Sequence, residues 1–306
     1  MSIVEKSIEK LKTSQPDSEV SPRVEPALDA TAADAAPTVE RLQERTHAGN
    51  RTVEPAPLWH VDQMELKRMG LLPLDDREGG RLADELRRIK QPLLDNVAGK
   101  GRKPLVHAER IMVTSAVPRE GKSFTSVNLA LSLAQERDFE VLLVDGDIPK
   151  SDITRIFKLE GRPGLMDVLA DERCQPADVI VRTDVRNLLV VPVGERHPLT
   201  TELFGSHRME YVLEEFAGRD RRRVVVFDSS PLLATSETQV LASHMGQIVM
   251  VVAEGRTSRQ EVRTALQRLS GAQYIGLILN MNRLSVSESR YSGDYFQYFS
   301  PRLGEA

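Results

Sequence analysis

From Ile111 to Asn280, short apolar runs alternate with stretches in which apolar residues recur every three or four positions. Runs such as Val141-Leu142-Leu143-Val144, Val224-Val225-Val226-Phe227 and Ile248 to Ala253 are continuously hydrophobic, the pattern of strands covered on both faces. The alternation predicts an α/β fold, a mostly parallel sheet with helices on both faces. Strands are expected near 111–115, 140–145, 188–193, 224–228, 247–253 and 274–280. Helices are expected at 122–136, 207–217, 235–244 and 257–270, with shorter pieces within 164–181.

Upstream, Leu82, Leu86, Ile89, Leu93 and Leu94 share one side of a helix over 81–97, which ends before the Gly99-Lys100-Gly101-Arg102-Lys103 break. Residues 13–57 are rich in Pro, Ala, Ser, Thr and Glu and poor in bulky apolar side chains, so the entropy of ordering is not offset and a disordered linker is expected. Before it, Ile3, Val4, Ile8 and Leu11 give residues 1–12 the spacing of a short amphipathic helix. Order is expected to resume near Trp59, in a domain spanning 58–284, followed by a flexible tail over 285–306.

Composition narrows the function. The formal net charge is -4, which gives no general attraction to nucleic acid. Cys174 is the only cysteine and has no partner for a disulfide or a zinc-like spacing; it reads as a buried or inert thiol in a reducing compartment. No apolar run approaches the ~20 residues of a membrane helix, and the opening residues carry charge where a signal sequence would be apolar, so a cytoplasmic location is expected. Arg219, Arg221, Arg222 and Arg223, and Lys100, Arg102 and Lys103, read as solvated basic connections.

The chemistry is concentrated where the run 111–115 enters Ala116-Val117-Pro118-Arg119-Glu120-Gly121-Lys122-Ser123 and then a helical pattern through Val127, Leu129, Ala130 and Leu133. Strand, Gly-Lys-Ser loop, helix is the context of a phosphate-binding loop, although Ala116 stands where the usual pattern has its first glycine. In such a loop backbone N–H groups and the helix dipole face the phosphates, Gly121 admits the close approach, Lys122 neutralises charge and the Ser123 hydroxyl meets magnesium. Asp145 and Asp147 end one apolar run and Asp228 another. Carboxylates at the C-terminal tips of parallel strands lie in the crevice where these sheets bind ligands. Asp228 suits a magnesium contact, and Asp145 and Asp147 suit a further metal contact and a general base. The competing reading of any one of them is a turn or helix cap.

With these residues in hand, the chain resembles the bacterial tyrosine kinases of exopolysaccharide synthesis, and within them the autokinases of exosortase-associated loci. The likeness covers about Arg81 to the end. It rests on residues 115–123, Leu143-Val144-Asp145-Gly146-Asp147, Gly164 to Leu169, Glu202-Leu203-Phe204 and Asp228-Ser229-Ser230-Pro231. Partitioning ATPases of the same P-loop NTPase fold carry a lysine five residues before the phosphate lysine; here that position is Val117.

The resemblance implies ATP and Mg2+ as ligands. It implies a nucleotide-binding set of Pro118, Arg119, Glu120, Gly121, Lys122, Ser123, Phe124, Asn280 and Arg283, metal contacts from Ser123, Asp145 and Asp228, and catalysis by Lys122, Asp145 and Asp147. It implies transfer of the γ-phosphate to Tyr291, Tyr295 and Tyr298 in the chain's own tail, in the service of polysaccharide chain length and export. It further implies a homo-oligomer, a membrane polysaccharide co-polymerase whose cytoplasmic segment activates the kinase, a phosphotyrosine phosphatase, and a position peripheral to the inner face of the membrane.

The sequence departs from the family pattern at Ile148-Pro149-Lys150-Ser151, where Leu-Arg-Arg-Pro is usual, and at Gln91, where the ring-assembly motif begun by Glu85 and Arg88 expects arginine. The Pro149-Lys150 change and the sparse tyrosine tail favour one alternative, a non-catalytic ATP-binding scaffold of the export machinery; a partitioning-type ATPase is a further alternative, against which Val117 counts.

Overall fold

The computed structural model describes residues 57–71, 80–218 and 223–281. The expected N-terminal helix, most of the linker and the tyrosine tail lie outside them. Within the described residues, a seven-stranded sheet has the order β3-β4-β2-β5-β1-β6-β7. Its strands are β1 (Arg110–Ser115), β2 (Glu140–Gly146), β3 (Val181–Arg182), β4 (Leu188–Val191), β5 (Arg223–Ser229), β6 (Gln247–Ala253) and β7 (Ile275–Asn280). Every pairing is parallel except that of β3 with β4.

Ten helices are described: α1 (Gln63–Arg68), α2 (Gly80–Val97), α3 (Lys122–Ala134), α4 (Asp152–Ile156), α5 (Leu165–Ala170), α6 (Pro176–Val179), α7 (Thr200–Phe204), α8 (His207–Ala217), α9 (Glu237–Ser243) and α10 (Arg259–Arg268). None of the described helices is long and apolar enough to cross a membrane.

The continuous hydrophobicity of the strands has a simple cause. Successive side chains point to opposite faces, and each face of this sheet has its own core. Ile111, Val113, Val141, Leu143, Val224 and Val226 pack with α2, α3 and residues of the 57–71 segment. Met112, Leu142, Val144, Val225, Phe227 and Met250 pack with α5, α8, α9 and α10. Helix α3 is buried on nearly every side, Phe124 alone among its residues being exposed. It lies under α2, whose Leu86, Leu93 and Leu94 cover it while Lys90 donates to the Ser132 carbonyl at 2.7 Å and pairs with Glu136 at 2.7 Å.

The register brings the chemistry together. Because β2 and β5 are neighbours with Asp145 opposite Asp228, and β1 lies on the other side of β5 with Val113 opposite Asp228, the two acidic strands end beside the loop after β1. Gly146 permits this approach, since a Cβ there would meet the backbone oxygen of Asp228 at 2.8 Å.

Candidate phosphate-binding site

After Ser115 the chain turns through Ala116, which is fully buried in the second core and whose carbonyl accepts from the Leu233 N–H at 3.1 Å. The departure from glycine at this position therefore has a packing role. Arg119 and Gly121 both adopt left-handed backbone conformations, with φ of 67° and 92°, and Gly121 is the N-cap of α3. A side chain at 121 would be strained by its φ and would collide with the Asn280 amide. The first N–H groups of α3 thus face outward with no helical acceptor, the usual basis of an anion site at a helix start.

Glu120, expected among the nucleotide contacts, uses its carboxylate as an internal brace. It is 1% exposed, accepts from the N–H of Val117 at 2.7 Å and of Ala253 at 3.2 Å, and bonds the Thr257 hydroxyl. Only its backbone is left to meet a ligand. Asn280, at the end of β7, donates to the Glu120 carbonyl at 2.8 Å and so ties the far strand to the loop. Pro118, Arg119 and Phe124 are exposed around the loop, Phe124 beside a groove between α2, α3 and β7.

Lys122 folds back into the site and is 3% exposed. Its ammonium pairs with Asp147 Oδ2 and lies 3.3 Å from Ser123 Oγ. The other oxygen of Asp147 accepts from the Ser230 hydroxyl at 2.7 Å. Asp228 accepts from Ser126 Oγ at 2.9 Å, and Asp145 Oδ2 accepts from both the N–H (2.8 Å) and the hydroxyl (2.6 Å) of Thr154. Ser123 Oγ donates to Asp152 Oδ2 at 3.3 Å. Lys122, Ser123, Asp145, Asp147 and Asp228 therefore gather in one place.

Three buried carboxylates around one ammonium are short of positive charge. Burial pushes the Asp145 carboxyl up to about 7, with Asp228 and Asp147 adding to the push and the Thr154 hydrogen bonds opposing it. Burial likewise raises Asp228 to about 6, against the pull of the Lys122 ammonium. For Lys122, burial disfavours the charge, but Asp228 and Asp147 outweigh it and hold the ammonium above its ordinary range. Two oxygens, Asp145 Oδ1 and Asp228 Oδ2, are buried with no hydrogen-bond partner. A buried orphan acceptor carries a desolvation cost of about 1–3 kcal/mol or more, and both fit a hard cation, which prefers oxygen donors. Among the described residues no cluster of three or more acidic, His or Cys side chains forms a complete metal cage. Magnesium usually takes one or two carboxylates and completes its shell with phosphate and water, which this arrangement suits.

Several contributors were not expected from the sequence. Thr154 and Asp152 come from α4, which at five residues is too short to leave a periodic signal. Ser126 is buried with nothing in the sequence to single it out, and Ser230, though part of the 228–231 motif, carried no assigned role. Arg196 donates to the Pro149 carbonyl at 2.8 Å, which brings a guanidinium to the segment where the family's arginines are missing; Lys150 itself is exposed. Arg283, Tyr291, Tyr295 and Tyr298 lie outside the described residues. On α2, Glu85 pairs with Arg81 at 2.6 Å, and Cys174 is half-exposed with its thiol pushed up by burial and nearby carboxylates.

The chain resembles several characterised proteins. It is 34% identical over 187 residues to the tyrosine-protein kinase YwqD of Bacillus subtilis, covering 60% of this chain and 77% of that protein. It is 34% identical over 191 residues to the tyrosine-protein kinase CpsD of Streptococcus agalactiae, covering 61% of this chain and 80% of that one. Among solved structures, the kinase domain of the Escherichia coli tyrosine kinase ETK superposes with a TM-score of 0.58 at 27% identity, covering 82% of this chain and 89% of that domain. No family model matches the chain. A P-loop beside three buried strand-end carboxylates, together with these likenesses, leads to one conclusion: the chain belongs to the bacterial tyrosine-protein kinase family.

Proposed function

We propose that this protein is an ATP-dependent tyrosine autokinase that passes the γ-phosphate of ATP to Tyr291, Tyr295 and Tyr298 of its own tail, in a neighbouring copy. The observation that carries the reading is the convergence of Lys122 and three buried carboxylates on the loop closed by Gly121. Phosphoryl transfer needs alignment and charge dispersal more than covalent work. Lys122 and the N–H groups opening α3 would hold the phosphates. Ser123, Asp145 and Asp228 would hold magnesium, which when bound neutralises charge on the β- and γ-phosphates. Asp147 or Asp145 would receive the tyrosine proton. Asn280 and Arg283 would serve the adenine side.

Family membership supports the cellular reading: a kinase peripheral to the inner membrane face, activated by the cytoplasmic segment of a polysaccharide co-polymerase, reversed by a phosphatase, and acting on exopolysaccharide chain length and export. The test is phosphotyrosine formation from purified chain and Mg-ATP, read by mass spectrometry with and without that segment. Signal is expected in the wild type and in neither Lys122→Met nor the Tyr291, Tyr295, Tyr298→Phe variant. Signal surviving Lys122→Met removes the mechanism. Silence throughout, with nucleotide still bound, favours the scaffold reading that the Pro149-Lys150 departure keeps open.

A further inference from the structure

The segment 57–71, which precedes the recognisable kinase motifs, is fastened to the domain at one point with unusual density. The N–H of Trp59 donates to the Arg182 carbonyl at 2.7 Å, its carbonyl accepts from the Asp184 N–H at 2.9 Å, and its indole Nε1 donates to the Phe157 carbonyl at 2.9 Å. The Arg162 guanidinium lies over the ring, 5.1 Å from its centroid. Next along the chain, Val61 N–H donates to Asp184 Oδ1 at 3.0 Å, and Lys158 reaches Asp62 at 3.1 Å. Val61, Leu66 and Leu71 are buried in the core shared with α3.

Phe157 is the C-cap of α4. That helix also carries Asp152, bonded to Ser123 Oγ, and Thr154, which grips Asp145 Oδ2 with both its N–H and its hydroxyl. The Thr154 oxygen in turn accepts from the Val193 N–H at 2.9 Å. A helix of five residues has too few internal hydrogen bonds to fix itself, so what holds its ends sets its orientation. One end is held by the indole and the Lys158–Asp62 pair; the other faces the phosphate site.

We infer that segment 57–71 is a positioning element for phosphoryl transfer, with Trp59 holding α4 so that Thr154 and Asp152 orient Asp145 and Ser123. The inference rests on the kinase reading above and adds to it a physical route by which segment 57–71 is coupled to the site. Coupling of this kind is reciprocal: whatever occupies the site must be felt at Trp59.

The full chain contains one tryptophan, so its emission reports on this contact alone. Mg2+ with a non-hydrolysable ATP analogue is titrated into wild type, Thr154→Ser and Thr154→Val, with calorimetry in parallel. The expected result is a change in Trp59 emission that follows the calorimetric binding curve in the wild type and in Thr154→Ser. In Thr154→Val, which keeps the shape and loses the hydroxyl, the change falls by at least about half, in keeping with one of two hydrogen bonds to Asp145 being lost. Trp59→Phe, which keeps an aromatic ring and loses the donor, should weaken binding of the Mg-nucleotide about threefold to tenfold. Binding by calorimetry with no emission change overturns the inference and leaves the kinase reading standing. So does a Trp59→Phe variant with a lowered melting temperature and unchanged affinity, or a full signal in Thr154→Val. Absence of any nucleotide binding in the wild type removes both.

Discussion

Nucleotide-free, magnesium-free protein should lose stability as the pH rises from 5 to 8, and Asp145→Asn should abolish much of that loss. Asp145 titrates near 7 in the fold, because burial and the neighbouring Asp228 oppose its charge, against 3.8 for an ordinary aspartate. Between those values the native state keeps a proton that the unfolded chain has released, so the slope of unfolding free energy with pH is negative. The contribution is fully favourable below about pH 4 and has been lost once the pH passes about 7. A shift of this size corresponds to roughly 4 kcal/mol at most, at ~1.4 kcal/mol per unit. Asparagine keeps an oxygen for the Thr154 donors, carries no charge at any pH, and presents its NH2 toward the position of the orphaned Oδ1. Urea unfolding in EDTA at pH 5, 6.5 and 8, followed by circular dichroism, is the assay. The variant should match or fall below wild type at pH 5 and exceed it by about 2–4 kcal/mol at pH 8. Parallel stability–pH curves for the two proteins would refute the argument.

Other consequences concern the loop and the metal. Magnesium affinity, measured by calorimetry in the presence of an ATP analogue, should rise from pH 5 to pH 8 as Asp228 and Asp145 give up protons near 6 and 7; a flat profile would exclude them as ligands. Gly121→Ala should cost about 1–3 kcal/mol in thermal unfolding through its positive φ and the clash with Asn280, and should lose nucleotide binding. Glu120→Ala strands the N–H groups of Val117 and Ala253, at about 1–3 kcal/mol for each buried group, whereas Glu120→Gln should recover part of the melting temperature. An Ala variant as stable as wild type would show that the carboxylate is no brace.

The sequence exposed the fold wherever a pattern repeats along the chain. Strands covered on both faces must be hydrophobic at every position, so β2, β5 and β6 were visible as runs, and the aspartates at the ends of β2 and β5 were legible as a converging set. Short elements were not: α4, α7 and the two-residue β3 contain less than two turns or two alternations and leave no period. Trp59 marked where order resumes, but its bond to Phe157 spans 98 residues and is a product of tertiary packing alone. Thr154 was invisible for the same reason, since only the folded path after Asp147 returns its hydroxyl to Asp145. Position within the loop marked Glu120 as a nucleotide neighbour but gave no sign of its side chain's part, which is to accept from the N–H groups of Val117 and Ala253 inside the fold. Ala116, read as a defect in the motif, fills a fully buried place in the core.

Isothermal titration of the purified full chain with Mg-ATP analogue tests the central claim, that an ammonium and strand-end carboxylates around the loop at 116–123 form one nucleotide site. The account predicts a single-site isotherm in the wild type that disappears in Lys122→Met and weakens when magnesium is withheld. A wild-type chain that takes up no nucleotide, or a Lys122→Met chain that binds it as tightly, would contradict it.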